Sequence, residues 1–254
     1  MKKILLIGSN IKNSLSPDIH NFIYKQLNLN AHYEIHEIER PSQINNIIKQ
    51  ILNDNIYGIN ITAPYKSHII DKVKLISKKA KKIGAINCID SNLKGYNTDS
   101  YGFMKMLSKN NISLSKKNIH IIGSGGASQA ILYALDIIGN KSITMYDREN
   151  VSQILASNLN NDDVVVNCTP VHFINENKDF FDFFIKRNFL WIDLLYTKLS
   201  TEKNKKIDKN RYFNGLDMLI YQALASIDIW FRKNISKSVD LSDLKLYLKE
   251  VMNA

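Results

Sequence analysis

Cysteine is nearly absent from this chain: Cys88 and Cys168 are the only two in 254 residues, and no Cys-x-x-Cys spacing occurs. That argues against a disulfide framework or a zinc site and fits a reducing, cytoplasmic compartment. No apolar run approaches the length of a membrane span. The opening "MKKILLIGSN" begins like a signal peptide, but its apolar run stops at Gly8, too short for the hydrophobic region of one. No internal repeat of fixed period stands out. Glycine is scarce as well, with 10 residues, so each marks a place where backbone geometry asks for it. Gly139 reads as a helix C-cap; the other nine lie at or beside the segments discussed below.

Positive charge, by contrast, is in excess. Lys and Arg total 34 against 24 Asp and Glu, a net charge of +10. Nucleic acid, an anionic membrane or anionic small molecules would each suit such a surface. The lysines are spread along the chain, however. The densest run, Lys72 to Lys82, alternates with Val73, Ile76, Ala80 and Ile83 at helical spacing and reads as the solvated face of a helix over 67–83. No aromatic residues interleave it for base stacking. The sequence therefore predicts no nucleic-acid partner and no membrane partner. At 44% hydrophobic and 23% charged residues, the chain can bury one large core or two ordinary ones.

The first part alternates strands and helices. "KKILLIGS" reads as a buried strand. A helix follows with Ser16 as N-cap, Pro17 at its first position, and Ile19, Phe22, Ile23 and Leu27 as one stripe. "AHYEIHEIE" alternates as a strand, a helix begins near Ser42, and "YGINIT" is a third strand. "GAINCID" and "LKGYNTD" look like a short strand pair. A second unit begins after Asp99: "NIHIIGS", "SITMYD", "DDVVVNCTP", "FLWIDLLY" and "RYFNG" are apolar runs separated by helical or irregular segments. After Gly215 the pattern is purely helical. Such alternation predicts an α/β fold.

"IIGSGGAS", Ile121 to Ser128, follows an expected strand and opens an expected helix, the context a dinucleotide fingerprint requires. Gly123 would make the tight turn and Gly125 would admit a pyrophosphate to the helix N-terminus, while Ser128 stands at the third fingerprint position. The next strand ends "MYDRE". Asp147 lies where an acid would hold the ribose hydroxyls of NAD, and Arg148 beside it could hold the 2′-phosphate of NADP. These two residues oppose each other.

A second constellation precedes that loop. "GINITAPYK" ends a strand at a proline and then presents Lys66. "SLSP" supplies Ser14 and Ser16, "GAIN" supplies Asn87, and "GYNTD" supplies Asn97, Thr98 and Asp99; Asn60 and Thr62 lie within the strand itself. All fall near strand ends, where ligands bind in open α/β sheets. The set offers neutral hydroxyls and amides, one amine and one carboxylate, but no arginine clamp and no His/Cys metal set. It suits a small, polyhydroxylated, weakly anionic molecule, with Lys66 and Asp99 as an acid–base pair.

The segments "SLSPDIHN", "GINITAPYK", "GAINCI", "GYNTDSYGF", "GSGGASQAI", "VVNCTP", "DLLY" and "GLDMLIYQA", in this order, resemble the shikimate dehydrogenase family over nearly the whole chain. The resemblance implies an N-terminal α/β substrate-binding domain at 1–100, a Rossmann-like NADP-binding domain at 101–215, and C-terminal helices at 216–254 that return to the first domain. It implies reversible reduction of 3-dehydroshikimate to shikimate, on the chorismate route to aromatic amino acids, in a cytoplasmic monomer or homodimer. Lys66 and Asp99 would be catalytic. Ser14 and Ser16 would hold the substrate carboxylate, with Thr62, Asn87 and Gln222 on its hydroxyls and Tyr196 helping to close the site. Gly123, Ser124, Gly125, Gly126, Ala127 and Ser128 would form the cofactor loop, while Thr169, Leu195, Gly215 and Met218 would line the nicotinamide. The family's usual Asn-Arg-Thr after the second Rossmann strand is here Asp147-Arg148-Glu149, with Ser152 near the place of a further base. This leaves NADP as the expected cofactor and NAD as the second option. Three rival readings are a quinate/shikimate dehydrogenase using NAD, a non-catalytic regulatory protein on the same fold, and another two-domain Rossmann enzyme such as a folate dehydrogenase.

Overall fold

The first apolar run forms strand β1 (Lys2–Gly8), which pairs in parallel with β2 (Ala31–Glu37) on one side and β3 (Gly58–Ile61) on the other. Ile4, Leu5, Leu6 and Ile7 are all buried. A strand covered on both faces needs this continuous apolar run, whereas β2, at the sheet edge, alternates. The computed structural model describes residues 1–170, 178–196 and 207–253. It divides into two units, Met1–Phe103 with Leu219–Ala254, and Met104–Met218.

In the first unit, helix α1 (Ser16–Gln26) buries Ile19, His20, Ile23 and Tyr24. The expected cap is displaced: Ser16 is already helical, and it is Ser14 Oγ that accepts the Ser16 N–H, at 3.2 Å. Pro17 at the second helical position leaves one fewer amide to satisfy there. Helix α2 (Ile44–Leu52) follows a 3₁₀ turn at Pro41–Gln43. The lysine-rich stretch departs from the expected helix over 67–83. Only α3 (Lys78–Ile83) is α-helical; a 3₁₀ turn spans Ile70–Lys72, and β4 (Leu75–Ile76) intervenes. Two local forces decide this. Leu75 and Ile76 pair in parallel with Lys94 and Gly95, and Ser77 Oγ accepts the Ala80 N–H at 3.2 Å, which starts the helix there. Strands β5 (Cys88–Asp90) and β6 (Lys94–Tyr96) complete a mixed six-stranded sheet of order β2-β1-β3-β5-β6-β4.

Helix α4 (Asp99–Lys109) leads on, with Phe103 fully buried as a core residue and Tyr101 36% exposed. The second unit is a five-stranded, all-parallel sheet of order β11-β10-β9-β7-β8, built from β7 (Asn118–Ile122), β8 (Ile143–Tyr146), β9 (Asp163–Asn167), β10 (Leu190–Asp193) and β11 (Tyr212–Asn214). Helix α5 (Gly126–Ile138) joins β7 to β8 and ends at Gly139 in the left-handed region, φ 79°. Helix α6 (Lys178–Lys186) buries Phe180, Phe183 and Phe184. The chain closes with α7 (Leu216–Phe231) and α8 (Leu241–Asn253). In the first unit α8 meets α1, with the Phe22 and Tyr247 rings 4.9 Å apart. Among the described residues no helix is long and apolar enough to cross a membrane.

One buried group gives the first unit a pH dependence. His20 is fully buried, its ring stacked on Tyr33 at 4.0 Å, and its Nε2 has no hydrogen-bond partner among the described residues. Burial lowers its pKa from 6.5 to about 3. Between these values the unfolded chain binds the proton that the folded chain refuses, so stability rises with pH and is lost as pH falls from about 6.5 towards 3. The expected slope is at most ~1.4 kcal/mol per pH unit. Urea midpoints taken from pH 7 to pH 4 should fall in the wild type and flatten in His20→Gln. Equal slopes in both proteins would assign the acid sensitivity to other groups.

Candidate active site

The site begins where adjacent parallel strands end. Gly8 closes β1 and Thr62 follows β3; a Cβ on Gly8 would overlap the Thr62 methyl, so only glycine permits this close approach. The Thr62 N–H donates to Ile7 O at 2.9 Å, and the Ile61 N–H donates to Asn87 O at 2.9 Å, which ties the end of β3 to the "GAIN" segment. Beyond the proline, Tyr65 is buried with its hydroxyl on Ile38 O at 3.0 Å, and the Lys66 carbonyl accepts the Ile86 N–H at 2.8 Å. The backbone that carries the Lys66 amine is thus held on both sides.

Asp99 is placed by a different device. The buried Asn97 side chain accepts the N–H groups of Asp99 and Ser100 at 3.1 and 3.4 Å, capping α4, and anchors itself to Ala85 O at 3.1 Å. The carboxylate then receives Lys66 Nζ on Oδ2 at 2.6 Å and Asn87 Nδ2 on Oδ1 at 2.8 Å. Side-chain exposures of 15% for Lys66 and 7% for Asp99 make this a largely desolvated pair. Such a pair persists only when its remaining valences are satisfied, and Asn87 satisfies one. Asn87 also donates to Thr98 Oγ1 at 2.8 Å and accepts the Thr98 N–H at 2.7 Å. Gln222 reaches the same cluster from α7, its Oε1 3.5 Å from Asn87 Nδ2 and 3.4 Å from Thr98 Oγ1. Lys66, Asn87, Asp99 and Gln222 are therefore brought together by direct bonds. Ser14 and Ser16 form their own pair, hydroxyl to hydroxyl at 3.2 Å, at the start of α1.

Two contributors escaped the sequence reading. Ser226 is fully buried behind the cluster, 3.3 Å from Thr98 Oγ1, and Trp230 donates its indole N–H to Ile89 O at 2.9 Å. Their i+4 and i+8 spacing from Gln222 was the available signal. Burial pushes the Cys88 thiol well up, so it stays protonated and takes no nucleophilic role.

The second unit has its own constellation. Gly123 adopts φ +111° at the end of β7, and a Cβ there would meet the Thr169 methyl at 3.0 Å. Gly125 has open space where a side chain would stand, and as N-cap of α5 it offers no side-chain cap. The first-turn amides, flanked by exposed Ser124 and half-buried Gly126 and Ala127, are thus open to an anion, so the loop fits a dinucleotide pyrophosphate. Ser128 turns inward, its hydroxyl on Gly125 O at 2.6 Å. Asp147 Oδ1 accepts the N–H groups of Glu149 and Asn150 at 2.9 and 3.2 Å, sealing its own turn, and leaves Arg148 exposed. At the ends of β9 and β10, buried Asn167 donates to Asp193 Oδ1 at 3.0 Å. Asn167 Oδ1 in turn accepts from the Thr169 hydroxyl at 2.8 Å, and Asp193 Oδ1 accepts the Leu195 N–H at 3.1 Å. The Gly215 N–H donates to Leu195 O at 3.0 Å, and a Cβ on Gly215 would overlap the Leu194 carbonyl. Met218 is buried and Tyr196 half-buried. The Asn167–Asp193 pair, also unread in the sequence, sets this group of residues.

A parallel-sheet unit with a dinucleotide-type loop and a second unit carrying a buried lysine–carboxylate pair define a two-domain α/β protein of the nicotinamide-dependent oxidoreductase class. Residues 6–89 match the family model of the shikimate dehydrogenase substrate binding domain. The shikimate dehydrogenase (NADP(+)) of Clostridium botulinum is 38% identical over 245 residues, covering 89% of this chain and 95% of that protein. The corresponding Clostridium perfringens protein is 31% identical over 261 residues, covering 94% and 96%. Among solved structures, shikimate dehydrogenase 1 from Peptoclostridium difficile superposes with a TM-score of 0.80 at 29% identity, covering 99% of this chain and 98% of that one. The chain belongs to the shikimate dehydrogenase family.

Proposed function

We propose that this protein reduces 3-dehydroshikimate to shikimate reversibly with NADPH, the step on the chorismate route to aromatic amino acids. The observation that carries the reading is the Lys66–Asp99 pair, 2.6 Å apart and largely desolvated at the ends of the substrate-unit strands. Asp99 holds the ammonium in place, and Lys66 donates its proton to the ketone oxygen as alkoxide charge develops there, taking it back in the oxidation direction. The nicotinamide, when bound, supplies the hydride to the carbonyl carbon. Ser14 and Ser16 bind the substrate carboxylate, where two hydroxyls and the N-terminus of α1 favour an anion. Thr62, Asn87 and Gln222 take its hydroxyls, and Tyr196 helps close the site. In the second unit Gly123 to Ser128 hold the pyrophosphate, while Thr169, Leu195, Gly215 and Met218 border the nicotinamide. Purified protein with shikimate and NADP⁺ should generate absorbance in the reduced-nicotinamide band. Its absence with shikimate, together with turnover of quinate, would move the reading to a quinate dehydrogenase.

Arg148 sets the cofactor preference. Asp147 is committed to its own turn, which reduces its competition for the ribose, and the exposed guanidinium is free to fork onto a 2′-phosphate. Arg148→Gln should lower kcat/KM for NADP⁺ by roughly 10- to 100-fold, the worth of a charged hydrogen bond, and leave NAD⁺ nearly unchanged. Steady-state kinetics with both cofactors check this. A proportionate loss with NAD⁺ would show that Arg148 does not read the phosphate.

A further inference from the structure

We infer that Ser226 is a positioning residue that keeps the amide oxygen of Gln222 available to the substrate. The inference rests on the proposed shikimate reaction and on the hydrogen bonds behind Asn87. Ser226 is fully buried on α7, one turn beyond Gln222. Its hydroxyl donates to the Gln222 main-chain carbonyl at 3.0 Å. It accepts from Asn60 Nδ2 at 3.1 Å, borders the Cys88 thiol, and lies 3.3 Å from Thr98 Oγ1. Asn60 cannot turn elsewhere: its other amide hydrogen is on Asn87 O at 2.9 Å, and its oxygen accepts the Tyr33 hydroxyl at 2.9 Å. Ser226 is therefore held in one orientation, with a lone pair facing Thr98.

Thr98 has one hydroxyl proton and two acceptors for it. Its oxygen already accepts Asn87 Nδ2 at 2.8 Å, so the proton goes either to Ser226 Oγ at 3.3 Å or to Gln222 Oε1 at 3.4 Å. With Ser226 as acceptor, Gln222 Oε1 keeps only the long 3.5 Å approach of Asn87 and can accept a substrate hydroxyl. Gln222 Nε2 is meanwhile held by Leu219 O at 2.9 Å, which fixes the direction of the amide. Without the Ser226 hydroxyl, the Thr98 proton has Gln222 Oε1 as its remaining acceptor among the described residues, and the substrate must displace it.

The test is steady-state kinetics of Ser226→Ala in the full-length protein. The shikimate KM should rise roughly fivefold to tenfold, the worth of one hydrogen bond, with kcat and the NADP⁺ KM within twofold of wild type. Ser226→Thr, which restores a hydroxyl, should return the KM towards wild type. In a Thr98→Val background, which has no proton to redirect, Ser226→Ala should change the shikimate KM less than twofold. A merely structural serine would lower Tm in both backgrounds and leave this difference absent. An unchanged KM in Ser226→Ala, or the same rise with and without Thr98, overturns the inference. If Ser226→Ala does not fold, Ser226→Cys under reducing conditions decides: its thiol is a weaker acceptor for the Thr98 proton, so the shikimate KM should rise with kcat within twofold of wild type, and an unchanged KM overturns the inference. Failure of wild type to turn over shikimate would instead reject the reaction itself.

Discussion

Replacing Lys66 by methionine should lower kcat for shikimate oxidation by about 100- to 10,000-fold, the range removed with a general acid–base group, and change the shikimate KM far less. Methionine keeps much of the side-chain length but removes the ammonium, leaving Asp99 with Asn87 Nδ2 at 2.8 Å and the cap from Asn97. The carboxylate therefore remains placed, and the loss reports on proton transfer. Lys66→Arg adds a sharper comparison. A guanidinium can still pair with Asp99, but it holds its proton far too tightly to be a good proton donor. It should fold well and yet lose most of kcat. If Lys66→Arg keeps wild-type kcat, the positive charge alone serves the reaction and the acid–base role falls. If Lys66→Met stays within tenfold of wild type, Lys66 is not the proton donor at all.

How much of this could be read from the sequence depended on the range of the interaction. Central strands were legible because burial on both faces writes an unbroken apolar run, as in β1 and in β9, where Val164, Val165 and Val166 are fully buried. The turn at Gly123 was legible because a positive φ leaves glycine as the residue of choice. The lysine-rich segment misled. Its apolar spacing satisfied a helix, but Ile76 and Val73 reach the first-unit core from a strand and a turn, and a hydrophobic period cannot tell these apart over so few residues. Lys66 and Asp99 stood out by residue type, while the partners that orient them did not. The side-chain oxygen of Asn97 caps α4, and Asn167 pairs with Asp193 across the ends of β9 and β10, roles that no local pattern marks. Ser226 is a serine in an apolar helix, 166 residues from the Asn60 amide it accepts. Such bonds depend on tertiary approach, which local pattern does not encode.

Trp230→Ala should destabilise the first unit by about 3–5 kcal/mol, the usual cost of deleting a buried aromatic side chain. Trp230 is 2% exposed, its ring lies 5.4 Å from His20 and 6.2 Å from Tyr33, and its N–H satisfies Ile89 O in β5. Deletion therefore opens a cavity between α7 and the sheet and removes the indole's hydrogen bond to the Ile89 carbonyl. Trp230→Phe fills most of the space without the donor and should cost about 0.5–1.5 kcal/mol, the net worth of one hydrogen bond. Gly58 is the matching half of this contact: a Cβ there would stand 2.5 Å from the indole Nε1 and 2.6 Å from Cδ1, so Gly58→Ala pushes the ring off Ile89. Urea denaturation of Gly58→Ala, Trp230→Ala and the double variant separates the terms. If the glycine exists to admit the indole, Gly58→Ala costs clearly less once Trp230 is gone, a coupling beyond the ~0.3–0.5 kcal/mol expected of independent sites. Equal costs in the two backgrounds would mean that Gly58 is needed for the backbone of β3 alone. The coupling matters for catalysis because Gln222, Ser226 and Trp230 share one stripe of α7, and the residue that seats the helix also sets how Gln222 meets Asn87 and Thr98.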